Sequence, residues 1–340
     1  MDNNTTSTSG RIDWIDVIRS IACICVITAH APIEGGHGGE WFLAPRLFLA
    51  NSGASDLFFM ISGALILYHP KSVKKFFKSK LLRIGIPLLI WSVISLLGHA
   101  AIHDITWGEC TRRILLVPFV PQEGHYWFLY VLFGIYMLAP ILSTWLERCG
   151  KSDLKVYLFV YLCALLVPYF AFFVPELNGL TDLRNGYLYY FSGFLWIAVL
   201  GYYIRRYVNI KKFRYYHVLI YALLLCSPGL FFLTPFPHGL TQNNLSIAMV
   251  ALCVCHFILL KHLRYPLWLK KVTYKFSQYS FGIYLVHVLV KAYIVHPLLY
   301  PLNLNYLIQI PLVVLLLATI SYVLVHLLSK LPKSKYLIGI

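Results

Sequence analysis

The sequence predicts an all-α integral membrane protein, a bundle of about ten transmembrane helices with both termini in the cytoplasm. Three observations carry this. First, 59% of the 340 residues are hydrophobic and 12% are charged, with a mean hydropathy of +0.70, whereas roughly a quarter of residues are charged in soluble domains. Second, apolar segments of about 20 residues recur along the chain. Each is long enough to cross ~30 Å of hydrocarbon as a helix, and none has the shorter alternation of an outer-membrane barrel. Third, the basic residues alternate with those segments. Residues 71–83, 148–155, 205–214 and 261–275, together with both chain ends, hold 24 of the 29 Lys and Arg. Only Arg46, Arg112, Arg113, Arg184 and Lys291 remain for the opposite face. By the positive-inside rule the crowded face is cytoplasmic.

In order, the expected spans are 13–32, 46–68, 82–102, 126–145, 154–174, 187–204, 214–234, 244–262, 277–298 and 305–329. Residues 1–10 (MDNNTTSTSG) are polar and expected as a disordered cytoplasmic tail. Residues 11–332 form one membrane domain, and 333–340 a cytoplasmic C-terminal tail. Ala29-His30-Ala31 has the small-residue look of a signal cleavage site. Against that reading, Asp13, Asp16 and Arg19 interrupt the n-region and apolar core, and Pro32 would come directly after the cut. The longest outward connection is 103–125, whose RRILLVPFV piece is too short to cross.

The net charge of +16 is accounted for by the loops on one face, so no nucleic-acid partner is expected. Eight cysteines occur singly or as Cys23/Cys25 and Cys253/Cys255, a spacing of two that sends paired members to different sides of a helix. They are expected as small packing residues, with neither a disulfide framework nor a metal site.

The first span carries the most informative pattern. Eleven helical steps separate Arg19 from His30, about 1100°, or three turns plus about 20°, so the two share a face about 16 Å apart along the axis. Asp16, Ser20 and Cys23 lie close to the same line. An arginine within a span costs ~2.5–3.5 kcal/mol at the centre on insertion scales, and such residues face the bundle interior or a watery cavity. Blander roles also exist. Asp13 and Asp16 suit a helix N-terminus, Arg19 can pair with Asp16 one turn away, and a lone His30 can be structural.

IDVIRSIACICVITAH (15–30) resembles the opening helix of membrane-bound acyltransferase family 3, which commonly has Asp-x-x-Arg, ten residues, then His; here these are Asp16, Arg19 and His30. LFFMISGALIL (57–67) resembles the second helix of that family, and FKSKLLRIGIP (77–87) its basic third segment. There the usual Arg-x-x-Arg is Lys80 and Arg83; lysine keeps the charge but loses the planar fork that grips phosphate bidentately. HYWFLYVLFGIYMLAPIL (125–142) and SFGIYLVH (280–287) resemble later segments, closest to the branch that O-acetylates bacterial surface polysaccharides.

This resemblance implies an O-acyltransferase of the bacterial inner membrane. It would move acetyl from acetyl-CoA to a sugar hydroxyl on a lipid-linked or polymeric glycan, with no permanently bound cofactor. His30 is then the catalytic candidate, as general base or as transient acyl carrier, supported by Arg19 and Asp16. Arg19, Lys80 and Arg83 are the candidates for the anionic donor, although Lys80 and Arg83 also suit plain headgroup anchoring. Glu34, Glu123, His125, Trp127, Tyr284 and His287 are candidates to line the acceptor side. Trp127 equally suits an interfacial aromatic belt, and Ser62-Gly63 a close helix contact.

The rival class is a proton-coupled transporter, since intramembrane Arg and His also mark proton paths. Related halves with matching interrupted helices would favour it, and none is visible in the sequence.

Overall fold

The computed structural model describes residues 11–32, 54–68, 72–183, 185–210, 240 and 243–339. In chain order the helices are α1 (Asp13–Ala29), α2 (Ala54–Ile66), α3 (Val73–Lys80), α4 (Ile86–Ala101), α5 (Trp107–Leu116), α6 (Trp127–Arg148), α7 (Lys151–Ala171), α8 (Leu195–Tyr207), α9 (Ile247–His262), α10 (Leu267–Val290), α11 (His296–Leu299), α12 (Tyr306–Ser329) and α13 (Lys335–Ile338). No strand occurs among the described residues. Two π-helical turns, Leu81–Gly85 and Lys291–Val295, join α3 to α4 and α10 to α11.

Among the described residues, five helical stretches are long and apolar enough to cross a membrane: Val73–Ala101, Gly124–Arg148, Lys151–Ala171, Leu267–Leu302 and Tyr306–Ser329. They coincide with five of the expected spans. Four further expected spans are represented by shorter helices, of 17 residues in α1, 13 in α2, 13 in α8 and 16 in α9. The expected span 214–234 lies outside the described residues.

Two boundaries differ from the hydropathy reading for identifiable reasons. Helix begins at Val73, nine residues before the expected start at 82, because a lysine-rich stretch is too polar to score as a span yet helixes readily. Conversely, the expected span 187–204 opens as a 3₁₀ turn, Tyr189–Phe191, and becomes α-helical only at Leu195. The indole of Trp196 donates to the Tyr190 carbonyl (2.8 Å) and holds that turn against the helix start.

The chain divides into two compact units, each drawn from three stretches. The first comprises Met1–Ala29, Leu43–Pro70 and Ile141–Tyr274. Its tightest packing is α2 on α8. A Cβ built on Gly63 would lie 1.7 Å from the Ala198 carbonyl oxygen, and one on Gly201 would lie 2.0 Å from that of Met60. Only the absence of a side chain at both positions lets the two backbones approach this closely, the role expected for the Ser62-Gly63 pair. The C-terminal end of α8 is capped by a cation. Lys261 Nζ donates to the carbonyls of Ile204 (2.8 Å), Arg205 (3.1 Å) and Val208 (2.5 Å), where orphan carbonyls and the negative end of the helix dipole converge.

The second unit comprises His30–Phe42, Lys71–Pro140 and Lys275–Ile340. Helix α5, ten residues long, occupies the 103–125 connection. Thr106 and Glu109 open it in the spacing of a capping box, with the Thr106 hydroxyl accepting from the Glu109 amide (3.2 Å). Cys110, Ile114 and Val117 pack against Leu96 and Ala100 of α4, while Trp107, Leu115 and Phe119 stay exposed on the outside of the protein. On the polar flank, hydrogen bonds from the Arg112 guanidinium hold the Glu109 carboxyl below the usual carboxylate range. At the other end of the unit the C-terminal residues fold back. Trp91 Nε1 donates to the Leu337 carbonyl (2.8 Å), Ile338 is fully buried, and Gly339 adopts a left-handed φ of 73°.

Candidate functional site

The polar stripe of α1 faces protein. Asp16, Ser20 and Cys23 are buried, Arg19 is half-buried, and the exposed position on this helix is Ile24. Ser20 Oγ donates to the Asp16 carbonyl one turn back (2.8 Å) and to the Thr273 carbonyl (3.1 Å). Asp16 accepts from Arg11 Nε at 2.5 Å, and Asp13 pairs with Lys270 Nζ at 2.9 Å. The two carboxylates of the first turn thus fasten α1 to the start of α10, all within the first unit.

His30 comes directly after α1 and belongs to the second unit, where two other imidazoles meet it. Its ring centroid lies 5.2 Å from that of His287 and 6.0 Å from that of His125, and the latter two are 5.2 Å apart. Three elements distant in sequence supply these rings: the turn after α1, the 3₁₀ turn Gly124–Tyr126, and the last turn of α10. His125 and His287 are buried and His30 is half-buried.

The rings are held by main-chain contacts. The Tyr126 hydroxyl donates to the Leu285 carbonyl (3.0 Å), and the Tyr284 hydroxyl donates to the His125 carbonyl. The two tyrosines thereby reach across in opposite directions and clasp the turn to α10. Buried phenols require such partners. His287 Nδ1 lies 2.7 Å from the Tyr284 carbonyl, so that nitrogen must carry the proton. In the neutral ring the lone pair then resides on Nε2. Neither His287 Nε2 nor His125 Nε2 has a hydrogen-bond partner among the described residues. Such a cluster can accept and return a proton. Among the described residues no group of His, Cys, Asp or Glu side chains could hold a metal ion.

The remaining candidates take other positions. The Glu123 carboxylate is directed to α4, accepting from Ser95 Oγ and meeting His99 Nε2 at 3.1 Å, while His99 Nδ1 meets Asp104 at 2.9 Å. Trp127 begins α6 half-buried, its ring 6.4 Å from that of Phe128. Lys80 Nζ lies 4.7 Å from the centroid of Tyr136 and 5.5 Å from that of Phe76. Arg83 is exposed within the first π-helical turn, the kind of helix irregularity frequent at functional sites. Arg19 and Asp16 belong to the first unit, and Glu34 lies outside the described residues.

Two residues that hold the site are not evident from the sequence. Tyr126 carries half of the clasp, and Lys291 Nζ donates to the Pro32 carbonyl at 2.7 Å. A signal for Lys291 exists all the same: Tyr284, His287 and Lys291 succeed one another at steps of three and four, a single helical face.

Among the described residues the structure is all-helical, with five helices long and apolar enough to cross a membrane, as in a multi-pass membrane protein, and three imidazoles converge in its second unit. Residues 12–326 match the model of acyltransferase family 3, described as an acyltransferase domain. The chain belongs to this family and is a membrane acyltransferase. No curated protein and no solved structure matches it. Family membership lends no support to the transporter alternative.

Proposed function

We propose that this acyltransferase is an O-acetyltransferase of the bacterial inner membrane, using cytoplasmic acetyl-CoA to esterify a hydroxyl of a surface or exopolysaccharide sugar. The acceptor would be a lipid-linked precursor or the polymer itself. The observation that supports this reading most is the convergence of His30, His125 and His287, because an alcohol becomes a competent nucleophile only as its proton is taken.

In this reading His30 removes the hydroxyl proton, the sugar oxygen attacks the thioester carbonyl, and the carbon–sulfur bond breaks. The departing thiolate takes the proton back from the imidazolium, so an ester and a free thiol form with no net proton release. His287 and His125 line the acceptor side with Tyr284 and Trp127. Glu123 supports that set by holding the turn that carries His125, and Glu34, outside the described residues, is a further candidate. Lys80 and Arg83 of the second unit and, separately, Arg19 of the first are the proposed candidates for the anionic donor, and Asp16 fixes the start of α1 through Arg11.

Ten spans with both termini inside would set the basic loops in the cytoplasm, beside the donor pool. Direct transfer is preferred to an acyl-histidine because it needs one fewer intermediate. The test supplies labelled acetyl-CoA and a membrane glycan extract to purified protein. Wild type should transfer label, and His30→Ala should lose transfer while remaining folded. Undiminished transfer by a well-folded His30→Ala protein would reject the assignment of the base.

A further inference from the structure

Lys291 carries a charge within the stretch Leu267–Leu302, one of the five able to cross a membrane. An ammonium in such a position is costly and marks a specific partner. It stands four residues after His287, on the same helical face, and is the first residue of the π-helical turn Lys291–Val295. Its Nζ is half-buried and donates to the Pro32 carbonyl at 2.7 Å.

Pro32 lies two residues beyond His30, and α1 ends at Ala29, so His30 sits in a turn. The intrahelical ladder that fixes the side chains of α1 therefore does not fix this ring. The stretch Leu267–Leu302 meets this turn twice. His287 meets the imidazole at a centroid distance of 5.2 Å, and Lys291, one turn further, grips the backbone that bears it.

We infer that Lys291 is a positioning residue for acyl transfer, tethering the Pro32 carbonyl so that the His30 imidazole stays in register with His287. The inference rests on the proposed acyl transfer with His30 as base. A base displaced by as little as an ångström loses about a hundredfold in rate, because the reacting atoms no longer meet in an attack geometry. Lysine suits the task through its reach and its three donors.

Two readouts on the full-length protein in detergent test it. In the transfer assay, Lys291→Met should lower kcat about a hundredfold with the KM for acetyl-CoA changed less than about twofold, and Lys291→Arg should recover most of the rate. In a His30→Ala background, adding Lys291→Met should leave the residual rate unchanged, since the tether acts through His30.

The second readout needs no turnover: diethyl pyrocarbonate modification of His30, with mass spectrometry of its peptide. The rate should rise several-fold in Lys291→Met and return to the wild-type value in Lys291→Arg. Equal His30 modification in wild type and a normally melting Lys291→Met overturns the inference, as does a further rate loss on the His30→Ala background. If Lys291→Met fails to fold, Lys291→Ala, which likewise has no donor, takes its place under the same criteria. Full transfer by His30→Ala would instead reject the choice of base, and the labelling would still report on the tether.

Discussion

The imidazoles of His30 and His287 lie with their ring centroids 5.2 Å apart, one just past the end of the first helix and the other in the last turn of the tenth. His287 is fully buried, and the hydrogen bond of its Nδ1 to the Tyr284 carbonyl leaves Nε2 as the nitrogen that can accept. Replacing His287 by Asn keeps one donor near that carbonyl and removes the opposite lone pair. The expected outcome is a fall in kcat of about 10²-fold, the lower end of what a positioned acid–base group contributes. The melting temperature should change little. A kcat within twofold of wild type would exclude His287 from the proton path.

The tyrosine clasp makes a separate prediction. Tyr126→Phe and Tyr284→Phe each remove one buried hydroxyl and leave a carbonyl with less than its full hydrogen bonding. Each should cost about 1–2 kcal/mol of stability. Because both bonds join the same turn to the same helix, the double variant should cost less than the sum of the singles, a coupling readable from chemical denaturation of the three proteins.

At the α2–α8 crossing, Gly63→Ala would set a methyl 1.7 Å from the Ala198 carbonyl oxygen, a backbone atom with no flexible end to yield. Separating the helices enough to admit it should cost about 1–3 kcal/mol, the usual penalty of overpacking. Gly134→Ala is the matched control. Its Cβ would meet nothing within 4 Å, so a thermal melt should show no loss, with a small gain from helix propensity.

Glu123 links Ser95 and His99 of α4 to the turn that bears His125. Glu123→Gln retains an acceptor for Ser95 and should preserve most of the stability. Glu123→Ala leaves the buried Ser95 hydroxyl without this acceptor and should cost about 1–3 kcal/mol. Measured melts of the pair would separate the loss of charge from the loss of the bond.

Much of the site is legible in the sequence because ionisable groups are conspicuous in an apolar chain. His30, His125 and His287 each stand out against lipid-compatible neighbours, whereas the helical arithmetic that aligns Arg19 with His30 assumes a helix continuing through residue 30, and α1 ends at Ala29. Their convergence is not legible, since no spacing rule relates residues 30, 125 and 287 when three separate elements carry them. Lys291 is a different case. Its step of four from His287 obeys the same rule that joins Tyr284 to His287, but in the charge pattern of the loops it reads only as a cation of the outer face. Among the described residues, hydropathy locates five helices of membrane-spanning length and loses the edges where lysines continue a helix, as at Val73, or where aromatic residues form a 3₁₀ turn instead, as at Tyr189.

Both hydroxyls of the tyrosine clasp end on peptide oxygens, not on side chains. These two bonds therefore do not depend on the side chains at positions 125 and 285, which contribute through buried packing instead. A substitution at His125 thus leaves both clasp bonds available, and a near-isosteric one such as His125→Gln changes the ring chemistry while the turn stays fastened to α10.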